Sequence, residues 1–226
     1  MSQRSPGCRW HSPQGVARRT LTMRLRLKAA RLAGQSSQAL DTALLLIKHR
    51  AFTPEAAESM VRSLVFELIA KTHEQGQMQR LWHRLGEAQR LSPDLAIQSA
   101  QHWLALKGDP AIARAWLKPI WLKWQQDPQK LSKPQQQKLV QTFDQSFTGQ
   151  DSPEERDWLV AIETAQKANP RESLLQFLAG RLCQKRQLWG KAQVLLAQAA
   201  PALEDASLRR LAWRAVADLA EQREDL

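Results

Sequence analysis

Between residues 54 and 75 the apolar side chains Val61, Leu64, Val65, Leu68 and Ile69 recur at three- and four-residue intervals, the spacing that places them on one face of an α-helix. The same alternation of apolar and polar positions repeats along most of the chain. No window carries the sustained two-residue alternation of strands bounded by hairpin turns. The pattern predicts an all-α chain of eleven helices, at about 22–33, 36–49, 54–75, 77–91, 93–106, 110–126, 135–148, 153–168, 171–185, 188–200 and 205–222.

Helix starts carry a common signature. Thr53-Pro54, Ser92-Pro93, Asp109-Pro110, Ser152-Pro153 and Asn169-Pro170 each pair a capping residue with proline at the first helical position, where proline's missing N–H costs nothing. Ser152 with Glu155, three residues on, reads as a capping box, and Glu172 is placed to reach back to Asn169 in the same way. Gly34-Gln35, Gln75-Gly76, Gly108-Asp109 and Gln187-Leu188 fall where paired helices would turn.

Prolines 54, 93, 128 and 170 lie near a 34-residue period with short insertions. With Pro170 at the terminal position of one such unit, Gly180 falls at position 8, Cys183 at 11, Ala192 at 20, Leu196 at 24 and Ala199 at 27. These are the small and apolar packing positions of a tetratricopeptide hairpin. The fold expected is therefore a tetratricopeptide-type α-solenoid of antiparallel hairpins, with a right-handed superhelical course. The pattern is strongest in the last third and weakest between about 125 and 150.

Both ends depart from it. Residues 1–20, MSQRSPGCRWHSPQGVARRT, show no helical period and are expected to form a disordered basic tail, with the repeat domain spanning 21–226. At the other end Trp213, Ala217, Ala220 and Asp225 align with positions 4, 8, 11 and 16, so the last repeat is expected to be truncated. Leu211, Val216 and Leu219 would then lack a covering helix.

Charge adds a second theme. The formal net charge is +11, and ten of the Lys/Arg lie in the first 50 residues against a single acid, Asp41. Such an end would be drawn to anionic head groups or, non-specifically, to nucleic acid. No apolar run exceeds five residues, as at Ala43–Ile47, which is far too short to span a bilayer, and no apolar leader precedes it; the chain as given is expected to be soluble. Nine tryptophans and no tyrosine point to inter-helix packing, with Trp103, Trp116, Trp121, Trp124 and Trp158 in or beside apolar stripes.

Catalytic chemistry finds little support. No G-x-G, phosphate loop, G-x-S-x-G elbow or H-E-x-x-H pair occurs. His11, His49, His73, His83 and His102 are scattered, although a hairpin at Gly76 could bring His73 and His83 together. Cys8 and Cys183 are too far apart in sequence to suggest a disulfide framework or a zinc site. Glu154, Glu155 and Asp157 complement a helix dipole. No catalytic, cofactor or metal residues are assigned.

The segments LRLKAARLAGQSSQALDTALLLIKHRAFTPEAAESMVRSLVFELI, QMQRLWHRL and QFLAGRLCQKRQLWGKAQVLLAQAAPALEDASLRRLAWRAVADLAEQ together resemble the C-terminal tetratricopeptide region of the proteobacterial HemY family. This is the haem-biosynthesis-associated membrane protein, not the flavin-dependent oxidase that shares its name. The resemblance covers about Leu21 to Leu226, with QLWGKA followed by RRLAWRA as its most distinctive part. It implies a non-enzymatic scaffold whose partners are late haem-pathway enzymes. It also implies attachment to the inner membrane through an N-terminal pair of transmembrane helices that this sequence lacks, with the repeat domain on the cytoplasmic side.

In such arrays the first helix of each hairpin lines a partner groove, and repeat counting places Phe66, His73, His102, Phe177, Arg181, Lys185 and Arg214 there. Aromatics mixed with cations suit an acidic partner surface. Two other classes stand beside this one: a basic repeat scaffold binding nucleic acid, and a carrier binding haem or porphyrin.

Overall fold

The computed structural model describes residues 13–224, and among these it is all-α: twelve α-helices and one short 3-10 turn, with no strand. The chain divides into two compact units, one ending at Lys71 and the other beginning at Thr72.

The first unit holds α1 (Pro13–Leu32), α2 (Ser36–Lys48) and α3 (Pro54–Ala70), each packed on the next. Leu27, Ala30, Ala39, Leu40, Ala43, Leu46, Val61, Leu64 and Val65 form its core. Gly34 turns the chain between α1 and α2 at a φ of +67°, a conformation open to glycine at little cost. Lys71 Nζ donates to the Gly34 carbonyl (3.2 Å) and to Ser36 Oγ (3.0 Å), and Ser36 Oγ donates to Glu67 (3.1 Å), tying that turn to the end of α3.

The expected tail of residues 1–20 is corrected in part: α1 already runs from Pro13. Its apolar residues are not gathered into one stripe, so periodicity does not reveal it. A proline in the first turn and helix-favouring arginines and leucines sustain it instead. Residues 1–12 lie outside the described part.

The second unit comprises α4 (Gln75–Arg84), α5 (Glu87–Arg90), α6 (Pro93–Ala105), α7 (Pro110–Gln126), η1 (Pro128–Lys130), α8 (Lys133–Ser146), α9 (Pro153–Ala168), α10 (Ser173–Lys185), α11 (Trp189–Ala202) and α12 (Ala206–Glu224). Two of its helices differ from expectation. The single helix expected at 77–91 breaks at Leu85-Gly86. There Leu85 turns extended and buries its side chain, while Arg90 reaches back to donate to the His83 carbonyl (2.8 Å) and to the Trp82 carbonyl (3.2 Å), which also accepts from Leu85 N. The start expected at Asn169-Pro170 shifts to Ser173, because the Glu172 carboxylate accepts from Leu174 N and supplies the cap (3.3 Å).

Within this unit alternate helices stack. α6 packs on α8, α8 on α10 and α10 on α12, and these helices begin 40, 40 and 33 residues apart, at Pro93, Lys133, Ser173 and Ala206. The intervening helices bridge them, α7 touching α6 and α8, and α11 touching α10 and α12. The α10–α11 pair is the tightest. Ala192, Leu196 and Ala199 are fully buried, and a Cβ placed on Gly180 would stand 2.7 Å from Leu196 Cγ.

Tryptophan is the packing residue of the middle of the unit. Trp82 stacks on Trp116 with ring centroids 4.5 Å apart, and Trp103 tilts against Trp116 at 5.4 Å. Gly108 lies so close over Trp103 that any Cβ would meet the indole at 2.2 Å. Trp121, Phe143 and Trp158 form a second group joining α7, α8 and α9, with Phe143 and Trp158 4.9 Å apart. All these rings are buried.

Candidate functional site

Of the seven residues assigned to a partner groove, Phe66 belongs to the first unit and the other six to the second. Phe66 lies on α3 in the first unit, 37% exposed. His73 is exposed in the 71–74 connection, not on a helix, since α3 ends five residues earlier than expected. His102 on α6 is half-buried, and its Nε2 sits 2.7 Å from the Thr72 carbonyl, which accepts.

Phe177 is corrected outright: it has no exposed surface and cannot line a groove. It sits on α10, which is enclosed by α8, α9, α11 and α12, so the face expected to be open is core.

Arg181 and Lys185 are committed to internal partners. Arg181 Nε donates to Asp144 Oδ1 at 3.1 Å and its Nη1 to Gln184 at 2.7 Å. Lys185 Nζ lies 3.2 Å from Asp144 Oδ1 and donates to the Phe147 (2.9 Å) and Asp144 carbonyls. Burial lowers the Lys185 pKa, partly opposed by the Asp144 carboxylate. These cations hold the end of α8 on α10 and are not surface groups awaiting a partner.

They border a larger buried polar network that the sequence does not disclose. Arg114 on α7 is 4% exposed and donates to both carboxylate oxygens of Glu154 (2.9 and 2.7 Å) and to the Ser146 carbonyl. Glu155, 2% exposed, stands 3.6 Å from Arg114. Its carboxylate accepts from Thr148 N (3.0 Å), Thr148 Oγ1 (2.9 Å) and Gly149 N (3.1 Å). The capping box expected at Ser152 is thus half-formed: Ser152 caps Glu155 N, but the glutamate turns towards the 147–150 connection. Gly149, at a φ of +81°, lets that connection pass over the end of α10, where a Cβ would meet the Lys185 carbonyl at 2.6 Å.

Beyond it, Asp151 accepts from Arg156 (2.8 and 2.7 Å) and from Arg186, which lower its pKa to about 2. The arrangement fixes four helices about one loop. Its donors and acceptors are matched among themselves, which makes it structural in chemistry.

The remaining candidate, Arg214, is exposed on α12, and beside it Trp213 is 50% exposed. Leu208, Ala212, Ala215 and Leu219 are buried on the opposite side of α12, which packs on α10 and α11. Leu219, expected to lack a cover, is therefore core. The apolar strip left at the surface is Trp213, Ala217 and Ala220, at i, i+4 and i+7.

Two charge reversals separate these roles. Arg181→Glu sets a second carboxylate against Asp144 and is expected to lower the melting temperature by several degrees, whereas Arg214→Glu leaves it unchanged. Circular dichroism melts of the two variants make the comparison.

Cys183 is fully buried, 3.7 Å from the Glu163 carboxylate, and its thiol is pushed up to about 11, mainly by burial. Among the described residues no three His, Cys, Asp or Glu side chains are grouped to hold a metal ion. No described helix is long and apolar enough to cross a membrane. No family model, curated protein or solved structure matches the chain.

Proposed function

We propose that the chain is a non-enzymatic protein-interaction scaffold of tetratricopeptide type, linked to haem and porphyrin synthesis at the bacterial inner membrane. The observation that carries the scaffold is the stacking of alternate helices α6, α8, α10 and α12, with a hairpin at α10–α11 closed over Gly180. An array built that way offers exposed helix faces and commits its polar interior to holding itself together. The link to haem synthesis rests on the QLWGKA and RRLAWRA segments and their neighbours. Its partners are late haem-pathway enzymes, and the repeat region faces the cytoplasm.

The surface favoured for capture is the α12 strip of Trp213, Arg214, Ala217 and Ala220, which pairs an exposed aromatic with an exposed cation as binding hot spots commonly do. Purified terminal haem-pathway enzymes, tested one at a time against the immobilised chain, are expected to yield at least one saturable complex. A Soret-band titration run in parallel distinguishes a carrier: stoichiometric haem uptake with no enzyme captured would overturn the scaffold.

A further inference from the structure

We propose that α1 is a docking surface for anionic lipid bilayers, lying on the membrane without crossing it. Between Arg18 and Arg31 the helix carries six cations, Arg18, Arg19, Arg24, Arg26, Lys28 and Arg31, and α1 contains no carboxylate. Charge alone would suit any polyanion. The leucines decide between them.

Leu21 and Leu25 are 60% exposed and Leu32 is 81% exposed. At 3.6 residues per turn these three, with Lys28, fall on one narrow face of α1. The buried side chains Leu27 and Ala30 mark the opposite side, where α1 packs on α2. The leucine face thus points away from its own core and is flanked by Arg18 on one side and by Arg24 and Arg31 on the other. A row of protruding leucines between cations is how a helix seats in the head-group region, with the aliphatic tips entering the acyl boundary and the cations meeting phosphates. A nucleic-acid backbone would make no use of the leucines.

The flank is organised as well. Arg24 donates to the Ala51 carbonyl (2.5 Å) and lies 5.6 Å over the Phe52 ring, which holds its guanidinium at the rim of a cleft of about 740 Å³. Arg24, Lys28 and Arg31 border this cleft, with Leu27, Phe52 and Met60 also lining it, so a head-group anion and the start of an acyl chain both find matching surface. The proposal stands on α1 and its neighbours in the first unit and does not depend on capture of haem-pathway enzymes.

Flotation of the full chain with vesicles provides the test. The chain is expected to float with phosphatidylcholine vesicles containing about one-third phosphatidylglycerol, and not with phosphatidylcholine alone. Leu21→Ser, Leu25→Ser and Leu32→Ser together should lower partitioning about tenfold or more, with the melting temperature unchanged because all three side chains are exposed. Lys28→Gln with Arg31→Gln should weaken binding and flatten its salt dependence. Equal flotation of the leucine variant and the parent overturns the proposal. So does binding of a DNA duplex by a chain that fails to float with the anionic vesicles.

Discussion

Gly180→Leu is expected to destabilise the second unit by about 3 kcal/mol, near the upper end of what overpacking usually costs. The reason is distance. A single methyl at residue 180 would stand 2.7 Å from Leu196 Cγ and 3.2 Å from Leu195 Cβ, and α10 is enclosed by four helices that leave it nowhere to retreat. The clash is specific to its partner, so a double-mutant cycle identifies it. Leu196→Ala alone opens a cavity and costs about 2–5 kcal/mol, but in a Gly180→Ala background its cost should shrink by at least about 1 kcal/mol, because the shortened side chain makes room for the new methyl. Urea denaturation of the four proteins measures this coupling. Strict additivity would mean that α10 and α11 do not meet at Gly180.

Arg114→Met should cost about 3 kcal/mol. The substitution keeps the bulk of the side chain but removes the Arg114 cation from the buried Glu155 carboxylate and from Glu154, and leaves the Ser146 carbonyl without that donor. Replacing one member of a buried ion pair is worse than replacing both, so Arg114→Met with Glu155→Gln should recover part of the loss.

Arg114 holds the Glu154 carboxyl below its ordinary value of 4.5, so the stabilisation it gives is complete at neutral pH and is lost as the pH falls below that value. The difference in melting temperature between the parent and Arg114→Met should therefore narrow in acid. Thermal melts at neutral and acid pH record it, and a gap that widens in acid would exclude the Arg114–Glu154 pair as its source.

The helical class and most helix bounds were legible because they rest on local chemistry. Thr53, Asp109 and Ser152 cap where a cap followed by proline predicts. Gly180, Cys183, Ala192, Leu196 and Ala199 are buried at the positions that the repeat spacing assigns. The failures came where distant residues override local preference. Glu155 looks like a first-turn charge, yet its partners include Arg114, which lies 41 residues earlier on another helix. Position counting placed Phe177 in a groove because it treats each hairpin alone, whereas α12 and α8 enclose α10. Arg181 and Lys185 were legible as cations but not as partners of Asp144, which lies in the stretch where the repeat pattern is weakest.

The most direct test of the central claim, that function resides on an exposed helix face and the buried charges serve stability, is one binding titration. A haem-pathway enzyme captured by the parent chain is titrated with the Trp213→Ala, Arg214→Glu variant and with Arg114→Met, with melting curves recorded in parallel. The surface variant should bind at least about tenfold more weakly at an unchanged melting temperature, as follows from losing a hot-spot pair. Arg114→Met should melt earlier but bind normally while folded. Full affinity in the surface variant, or lost affinity in folded Arg114→Met, would contradict the claim.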